Sequence, residues 1–515
     1  MTNLVEPVAE TVDSRSEAPA VWEDGAVLTY AELWERAGRF ARGLSERDIG
    51  PGERVGIYLP NVTEYVIAFY GTLRAGCVVV PMNPQYRRRE IEHLLADSGT
   101  RAVVTLEANV PEVEAVRADT DVDHVVSVGG DGATPFEAFL EEEPLPTVDR
   151  ADDDTAAQPY TSGTTGTPKG VLLSHRNLAW TTQVNVDVPD LGPDDRLLGV
   201  LPLFHIYGMV VVMNGALYAG STFYAMPEWT AEDALELFET EGITVFFGVP
   251  AMFNDLVNHP EVDDESLSSI RFANSGGDSI PLDVLERFES LAETELYEGY
   301  GLTETSPTSH AGRPGERRKG SVGRPLPGVE SKVVDEDFET VEPVAEGPVD
   351  EDAVDLDEIT GEIVIAGPNV MQGYYDLPEA NEAAFTEEDG TRWLHTGDVG
   401  YWDEDGYFFV VDREKHVIVS GGYNVYPREI EELLYEHEAI AEAAVVGLPD
   451  ERRGETVAAY VVPTPNSSLT ADEVREYCLD QLAAYKHPRE VAIVEELPRT
   501  ATGKVQKFRI REESA

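Results

Sequence analysis

Over residues 30–81 the apolar residues change period repeatedly. Helical spacing over 30–46 gives way to a short apolar run at 54–59, then returns over 62–75 before a second apolar run at 77–81. Strand-like runs separated by helix-like ones pair in parallel, and a parallel sheet must be covered by helices on its faces. The alternation recurs at 233–241, 245–248, 284–291 and 294–299, with no repeat of fixed period. An α/β architecture with largely parallel sheet is expected. At 515 residues the chain exceeds what one core serves, about 250–300 residues, so it divides into more than one unit.

Two segments interrupt the pattern. Residues 335–362 carry 13 acidic side chains, no Lys or Arg, and two prolines, Pro343 and Pro348, which reads as a solvated loop or hairpin. A short linker at 410–415 precedes a new series: helix 427–438, strands 443–447 and 457–463, helix 471–482 and strand 490–494. About a hundred residues with their own α+β pattern make a small C-terminal domain.

Charge bears on partners and setting. Asp and Glu number 98 against 38 Lys and Arg, a formal charge of −60. So acidic a surface repels phosphate backbones and anionic lipid, which argues against nucleic acid and membrane as partners. Only seven of the basic residues are Lys, and none precedes Lys169. Exchanging long apolar Lys stems for carboxylates suits a soluble enzyme in molar salt, where the Debye length is about 3 Å. A salt-rich cytoplasm is therefore expected. Cys77 and Cys478 are far apart and have no metal-type spacing, consistent with a reducing compartment. The first residues lack the apolar core of a secretory signal, and the longest apolar stretch, around 208–219, is too short to span a bilayer.

The sharpest local feature is the string YTSGTTGTPKG at 160–170. Gly163, Gly166 and Gly170 let backbone N–H groups converge, the hydroxyls of Thr161, Ser162, Thr164 and Thr165 sit among them, and Lys169 adds a positive charge. The combination suits phosphate oxygens better than a flexible linker. A nucleotide-hydrolase P-loop needs Gly before its Lys and Ser or Thr after it; here Pro168 and Gly170 occupy those places. Ser174–His175 suggests a nucleophile and base only superficially, since adjacent side chains rarely face each other and no Gly-x-Ser-x-Gly elbow is present.

The 160–170 string resembles the phosphate-binding signature of the adenylate-forming superfamily, which includes acyl-CoA synthetases, luciferases and peptide-synthetase adenylation domains. LPLFHI (201–206), YEGYGLTE (297–304), WLHTGD (393–398), VDREKHVIVSGGYN (411–424) and PRTATGK (498–504) follow in the order that family uses. The resemblance implies a large multi-layer αβαβα domain with a small distorted β-barrel over 1–411, a hinge at 412–415 and a mobile α+β cap over 416–515. It places phosphate on Thr161, Ser162, Gly163, Thr164, Thr165, Gly166, Lys169 and Thr303, magnesium on Glu304, and adenine beside Gly276, Gly299, Tyr300 and Gly301. Asp398, helped by Arg413, grips the ribose. His205 becomes an aromatic gate beside the acyl carboxylate, although such a His is by itself more often a core residue.

Lys504 is implied as the catalytic cation bridging the attacking carboxylate and the α-phosphate, and Lys415 as the hinge. Gly421 and Gly422 leave room for a pantetheine arm. His416 stands where the family often has an acid, which puts a hinge salt bridge in question. Residues 246–253 and 274–278 offer apolar pocket walls and no Arg for a second carboxylate. The activity implied is ATP-dependent acyl-CoA synthesis through an acyl-adenylate, with ATP, Mg²⁺ and coenzyme A. Medium- to long-chain fatty acids are the first choice; short-chain, branched or aryl acids, or loading of a carrier protein, are the alternatives. A basic cluster (Arg313, Arg317, Arg318, Lys319, Arg324) either attracts phosphates or forms a solvated loop.

Overall fold

The computed structural model describes residues 3–162, 168–263, 265–349, 354, 356–413, 416–420, 423–450, 453–464, 467, 469–482, 486–499 and 505–514. The alternating segments form as expected: helices Tyr30–Ser45 and Thr63–Arg74 flank strand Arg54–Tyr58, and strand Val78–Pro81 follows. Thr29 starts the first helix with a capping box, its side chain accepting from Glu32 N–H while Glu32 reaches back to the Thr29 N–H.

Two nine-stranded sheets dominate. In the first, strands Pro19–Glu23, Thr222–Ala225, Arg196–Gly199, Val245–Gly248, Phe272–Gly276 and Leu296–Tyr300 run parallel, with short antiparallel strands at both edges. In the second, a parallel centre (Val78–Pro81, Arg54–Tyr58, Thr100–Leu106, His124–Val128) is extended by antiparallel strand Pro168–Ser174 and its partners. Both sheets are thus mixed. One continuous core joins them through the helix pair, with Phe40 and Phe69 fully buried between Val21 and Leu197 of one sheet and Val55 and Val79 of the other. Helices Arg88–Ser98 and Val110–Val116 cover the far face of the second sheet through Ile91, Leu94 and Val113.

Alternation along strand Val245–Gly248 then sorts side chains between faces. Phe246 packs against Phe238 and Phe253 of helices Ala231–Glu241 and Pro250–Asn258, while Phe247 meets Tyr207.

A third, five-stranded antiparallel sheet comprises Glu330–Val334, Gly361–Ala366, Thr391–Trp402, Phe385–Glu388 and Phe408–Arg413. It stays open, contrary to the expected barrel. Strand Thr391–Trp402 is long enough to take Phe385–Glu388 and Phe408–Arg413 end to end on one side, opposite Gly361–Ala366, so nothing turns the outer strands toward each other. The acidic segment is not merely a solvated loop. Trp402 Nε1 donates to Val341 O at 2.9 Å, Val349 N–H donates to the Tyr401 hydroxyl at 3.1 Å, and Leu356 is buried against Tyr401 and Phe409.

The C-terminal region has its own sheet and core. Strands Ile418–Ser420, Tyr423–Val425, Ile440–Asp450, Gly454–Pro463 and Glu490–Ile493 carry helices Pro427–Tyr435 and Ala471–Gln481 through Ile430, Leu434, Val474 and Cys478. A terminal helix, Lys507–Ser514, was not anticipated from the sequence. Among the described residues no helix is long and apolar enough to cross a membrane.

Candidate active site

Gly276, Gly299, Tyr300 and Gly301 lie at the carboxyl ends of the first sheet's strands, where open α/β sheets present their crevices, whereas Lys169 lies on the second sheet and Asp398 on the third. Gly276 ends strand Phe272–Gly276 directly opposite Gly299 on Leu296–Tyr300. A Cβ on Gly276 would lie 3.1 Å from the Tyr207 ring, and one on Gly299 would lie 3.2 Å from Asn274 Oδ1, so the glycine pair keeps this floor thin. Just beyond, a Cβ on Gly301 would fall 1.8 Å from the Pro307 carbonyl oxygen. Only glycine lets the chain fold so tightly into the short helical turn Thr303–Thr305, which presents Thr303 and Glu304.

Glu304 and the phosphate string meet through a residue the sequence reading missed. The Tyr374 hydroxyl donates to Glu304 Oε1 at 2.8 Å, and Lys169 Nζ sits 4.9 Å from the centre of the same ring. Burial and the Glu304 charge push the Tyr374 phenol well above its ordinary range, so it remains a donor. Tyr374 pairs with Val171 across an antiparallel ladder, which is what brings it to the string. Beside it Gly373 has no room for a Cβ against Asn381, which the sequence shows only as a glycine before a tyrosine.

Thr161 lies opposite Lys169 and Ser162 opposite Pro168 in an antiparallel ladder. Gly163, Thr164, Thr165 and Gly166 lie outside the described residues. The ladder is braced from below: Arg54 Nε donates to Gln158 Oε1 at 3.1 Å, Gln158 Nε2 to the Tyr160 hydroxyl at 3.0 Å, and that hydroxyl to Asp97 Oδ2 at 2.6 Å.

On the other side of Tyr300 stands Asp398, only 3% exposed, accepting the Tyr300 hydroxyl at Oδ2 over 2.7 Å. Arg413 is its cross-strand partner by register. A buried carboxylate beside an aromatic ring and a backbone turn rich in N–H groups can hold a diol, with the ring covering a flat base.

The apolar side is built on the string that contains His205. His205 Nδ1 accepts the Tyr207 N–H at 3.2 Å, and a wide π-helical segment, Tyr207–Asn214, begins immediately afterwards. Such widened turns concentrate at functional sites. Gly208 allows this one, since a Cβ there would lie 2.4 Å from Leu201 O. Tyr207 then reaches Asn274 Oδ1 with its hydroxyl at 2.9 Å and meets Phe247 edge-on at 6.3 Å. Tyr207, an ordinary neighbour of His205 in the sequence, is thus the wall facing Gly276.

Several expectations resolve differently. Arg317 pairs with Glu289, Arg318 with Asp403 and Asp405, Lys319 with Glu286, and Arg324 with Glu316. Four of the five basic side chains are thus ion-paired within the fold, and Arg313 donates to the Pro325 carbonyl oxygen. Ser174 caps helix His175–Asp187 and His175 is buried, its imidazole pushed down to about 4 by burial, so neither is a nucleophile or base. His416 Nδ1 lies 3.3 Å from Asp412 Oδ1, so the histidine that stands where the family often has an acid faces a carboxylate. Lys415, Gly421, Gly422 and Lys504 lie outside the described residues, as does the Arg413 side chain.

The donor set at Glu304 fits magnesium arriving with a nucleotide. That ion uses one or two carboxylates plus phosphate oxygens and keeps its waters, and Glu304 stands beside the phosphate string.

Comparison with known proteins shows the family to which the chain belongs. The family described as AMP-binding enzyme matches residues 8–375, and the AMP-binding enzyme C-terminal domain matches residues 429–504. A long-chain-fatty-acid–CoA ligase of Bacillus subtilis is 36% identical over 95% of this chain and 90% of its own. A feruloyl-CoA synthase of an Amycolatopsis species is 36% identical over 96% and 95% respectively. The crystal structure of ATP-bound MatB from Rhodopseudomonas palustris superposes with a TM-score of 0.91 at 32% identity, covering 100% of this chain and 99% of that one. Glycine-thinned strand ends, a glycine- and threonine-rich string tied to Glu304 through Tyr374 and a buried Asp398 thus sit in a chain matched along nearly its whole length, and the protein belongs to the AMP-binding enzyme family.

Proposed function

We propose that this protein is an AMP-forming acid–CoA ligase acting on a monocarboxylic acid of fatty type. The acid carboxylate attacks the α-phosphate of ATP, releasing pyrophosphate and forming an acyl-adenylate; the CoA thiol then displaces AMP to give the thioester. Each half uses a good leaving group, so one difficult condensation becomes two easier ones. The observation that carries the reading is the joining of Lys169, Tyr374 and Glu304 into one cluster, within a chain matched to the family along its length.

The residues divide the work. The 160–170 string and Thr303 bind phosphate oxygens, and Glu304 holds Mg²⁺, which supplies neutralisation of phosphate charge. Asp398, with Arg413, fixes the ribose, and Tyr300 covers the base. Lys504 brings a cation between two anions that repel each other, stabilising charge developing at the α-phosphate. Residues 412–415 form the hinge that exchanges Lys504 for Gly421 and Gly422 between the half-reactions, and His205 gates the acyl carboxylate. For the acyl group, the relatives act on different acids by name, a long-chain fatty acid in one and feruloyl in another. Tyr207, Phe247 and Asn274 favour an uncharged acyl body.

The decisive experiment measures acid-dependent AMP release with and without CoA, across fatty chain lengths and aryl acids. Activity rising from C6 to C16 and requiring CoA for turnover supports the proposal; preference for aryl acids, or transfer to a carrier protein in place of CoA, overturns the substrate assignment. Lys504→Ala should lose ATP–pyrophosphate exchange by about a thousandfold while still converting pre-formed acyl-adenylate with CoA. Unchanged exchange removes Lys504 from the mechanism. The charge of −60 further supports adaptation to high salt. Full folding and activity without added salt would refute that.

A further inference from the structure

The acidic segment 335–362 ends on a residue that the function above leaves unused. Glu362 pairs with Val399 in the ladder between strands Gly361–Ala366 and Thr391–Trp402, just before an irregularity in register, and both its carboxylate oxygens are engaged. Oε1 accepts the Gly397 N–H at 2.8 Å, and Oε2 lies 2.7 Å from His395 Nδ1. His395 is held from its other side, with Nε2 2.8 Å from Thr386 Oγ1 on the neighbouring strand Phe385–Glu388. Between these anchors runs the bend 396–398. Thr396 Oγ1 donates to Ile363 O at 2.6 Å and accepts the Asp398 N–H at 3.1 Å, and Gly397 sits at φ 67°. The bend delivers Asp398 to the Tyr300 hydroxyl.

We propose that Glu362 is a positioning residue for nucleotide recognition, holding the 396–398 bend so that the buried Asp398 carboxylate faces the ribose hydroxyls. The inference rests on the proposed ribose role of Asp398 and adds a residue that touches no substrate. The chemistry is specific. An ionised carboxylate accepts only, and here it takes one backbone N–H and one imidazole N–H, which sets the imidazole to accept the Thr386 hydroxyl at Nε2. Loss of that acceptor frees the Gly397 N–H and lets the left-handed residue relax. Asp398, one residue further, then loses its orientation while the sheet itself remains paired. Gln at this position can still accept the Gly397 N–H, whereas Ala cannot.

The test compares ATP with 3′-deoxy-ATP as substrates for pyrophosphate exchange in wild type, E362A, E362Q and D398A. A ribose-gripping carboxylate makes the enzyme prefer ATP. E362A should raise KM for ATP about tenfold, leave KM for the acid within twofold, and lose most of the discrimination against the deoxy analogue. E362Q should retain most of the discrimination. A merely structural role lowers thermal stability or active fraction and leaves discrimination intact in the folded enzyme; that outcome, or equal loss in E362Q and E362A, overturns the proposal. D398A separates the two readings. Undiminished discrimination in D398A defeats the ribose role itself, whereas its loss in D398A but not in E362A defeats only the part assigned to Glu362.

Discussion

The proposed nucleotide side and the proposed acyl side of this site are built by different means. On the nucleotide side, charged and hydroxyl groups from distant segments meet in pairs: Lys169 and Glu304 through Tyr374, and Tyr300 with Asp398. On the acyl side the wall is aromatic, and one hydroxyl, that of Tyr207 on Asn274, crosses it. Polar recognition needs particular atoms at particular places, so it uses tight glycine turns and paired partners. Apolar recognition needs volume and shape, which many residue combinations supply.

Substitutions can break or sharpen this contrast. The largest effect is expected from Gly301→Ala, because the new Cβ would fall 1.8 Å from Pro307 O and something must move. A loss of about 3 kcal/mol of stability, with ATP binding weakened in what remains folded, is expected from thermal melts with and without nucleotide. An unchanged melting temperature would show that the turn is not the constraint.

Asp398→Ala acts on chemistry more than on folding. About 2–3 kcal/mol, or roughly 30- to 160-fold in kcat/KM for ATP, should disappear with little change in KM for the acid. Equal weakening toward both substrates would dissolve the division into two sides.

Glu298, beneath the nucleotide side, gives a pH handle. Burial pushes its carboxyl up to about 7 from an ordinary 4.5, with Arg428 and Arg317 pulling it down and Glu432 adding to the rise. The native protein therefore keeps a proton that the unfolded chain sheds between roughly pH 4.5 and 7. The unfolded state binds fewer protons in that window, so this contribution to stability falls as pH rises through it. Glu298→Gln, which cannot ionise, should flatten the profile and gain on the order of 2 kcal/mol over wild type at pH 8 relative to pH 5. Parallel denaturation profiles for the two proteins would show that Glu298 does not titrate in this range.

The smallest effect belongs to the acyl side. Tyr207→Phe leaves Asn274 Oδ1, in a residue 7% exposed, without its donor. It should cost about 1 kcal/mol, shift the acyl-chain preference severalfold and leave KM for ATP unchanged. A larger effect on ATP than on the acid would place Tyr207 on the wrong side of the comparison.

How much of this was legible differs between the two sides for the same reason. Glu304, Asp398 and Lys169 stood out because each sits in a short string whose glycines and hydroxyls have few other uses, and the strings occur in a recognisable order. Tyr374 and Glu362 carry no such neighbourhood. Tyr374 is one of 21 tyrosines, and Glu362 closes an acidic run that composition makes look solvated. Only cross-strand pairing, Val171 with Tyr374 and Glu362 with Val399, brings them to the site. The basic cluster failed in the opposite direction, looking available for phosphate because its partners Glu289, Asp403 and Asp405 lie far away in the chain.

By itself, then, the sequence determined the local elements, the parallel α/β plan, the separate C-terminal α+β pattern and the ordered strings that mark the family. Those depend on periodicity, glycine placement and side-chain chemistry over a few neighbouring residues. Tertiary structure alone decided that the third sheet stays open, that Tyr374 links Lys169 to Glu304, that Tyr207 faces Gly276 and that four of the five basic side chains over 313–324 are ion-paired. These are contacts between residues tens to hundreds of positions apart, set by strand register and face alternation, and a one-residue change of register would undo each of them.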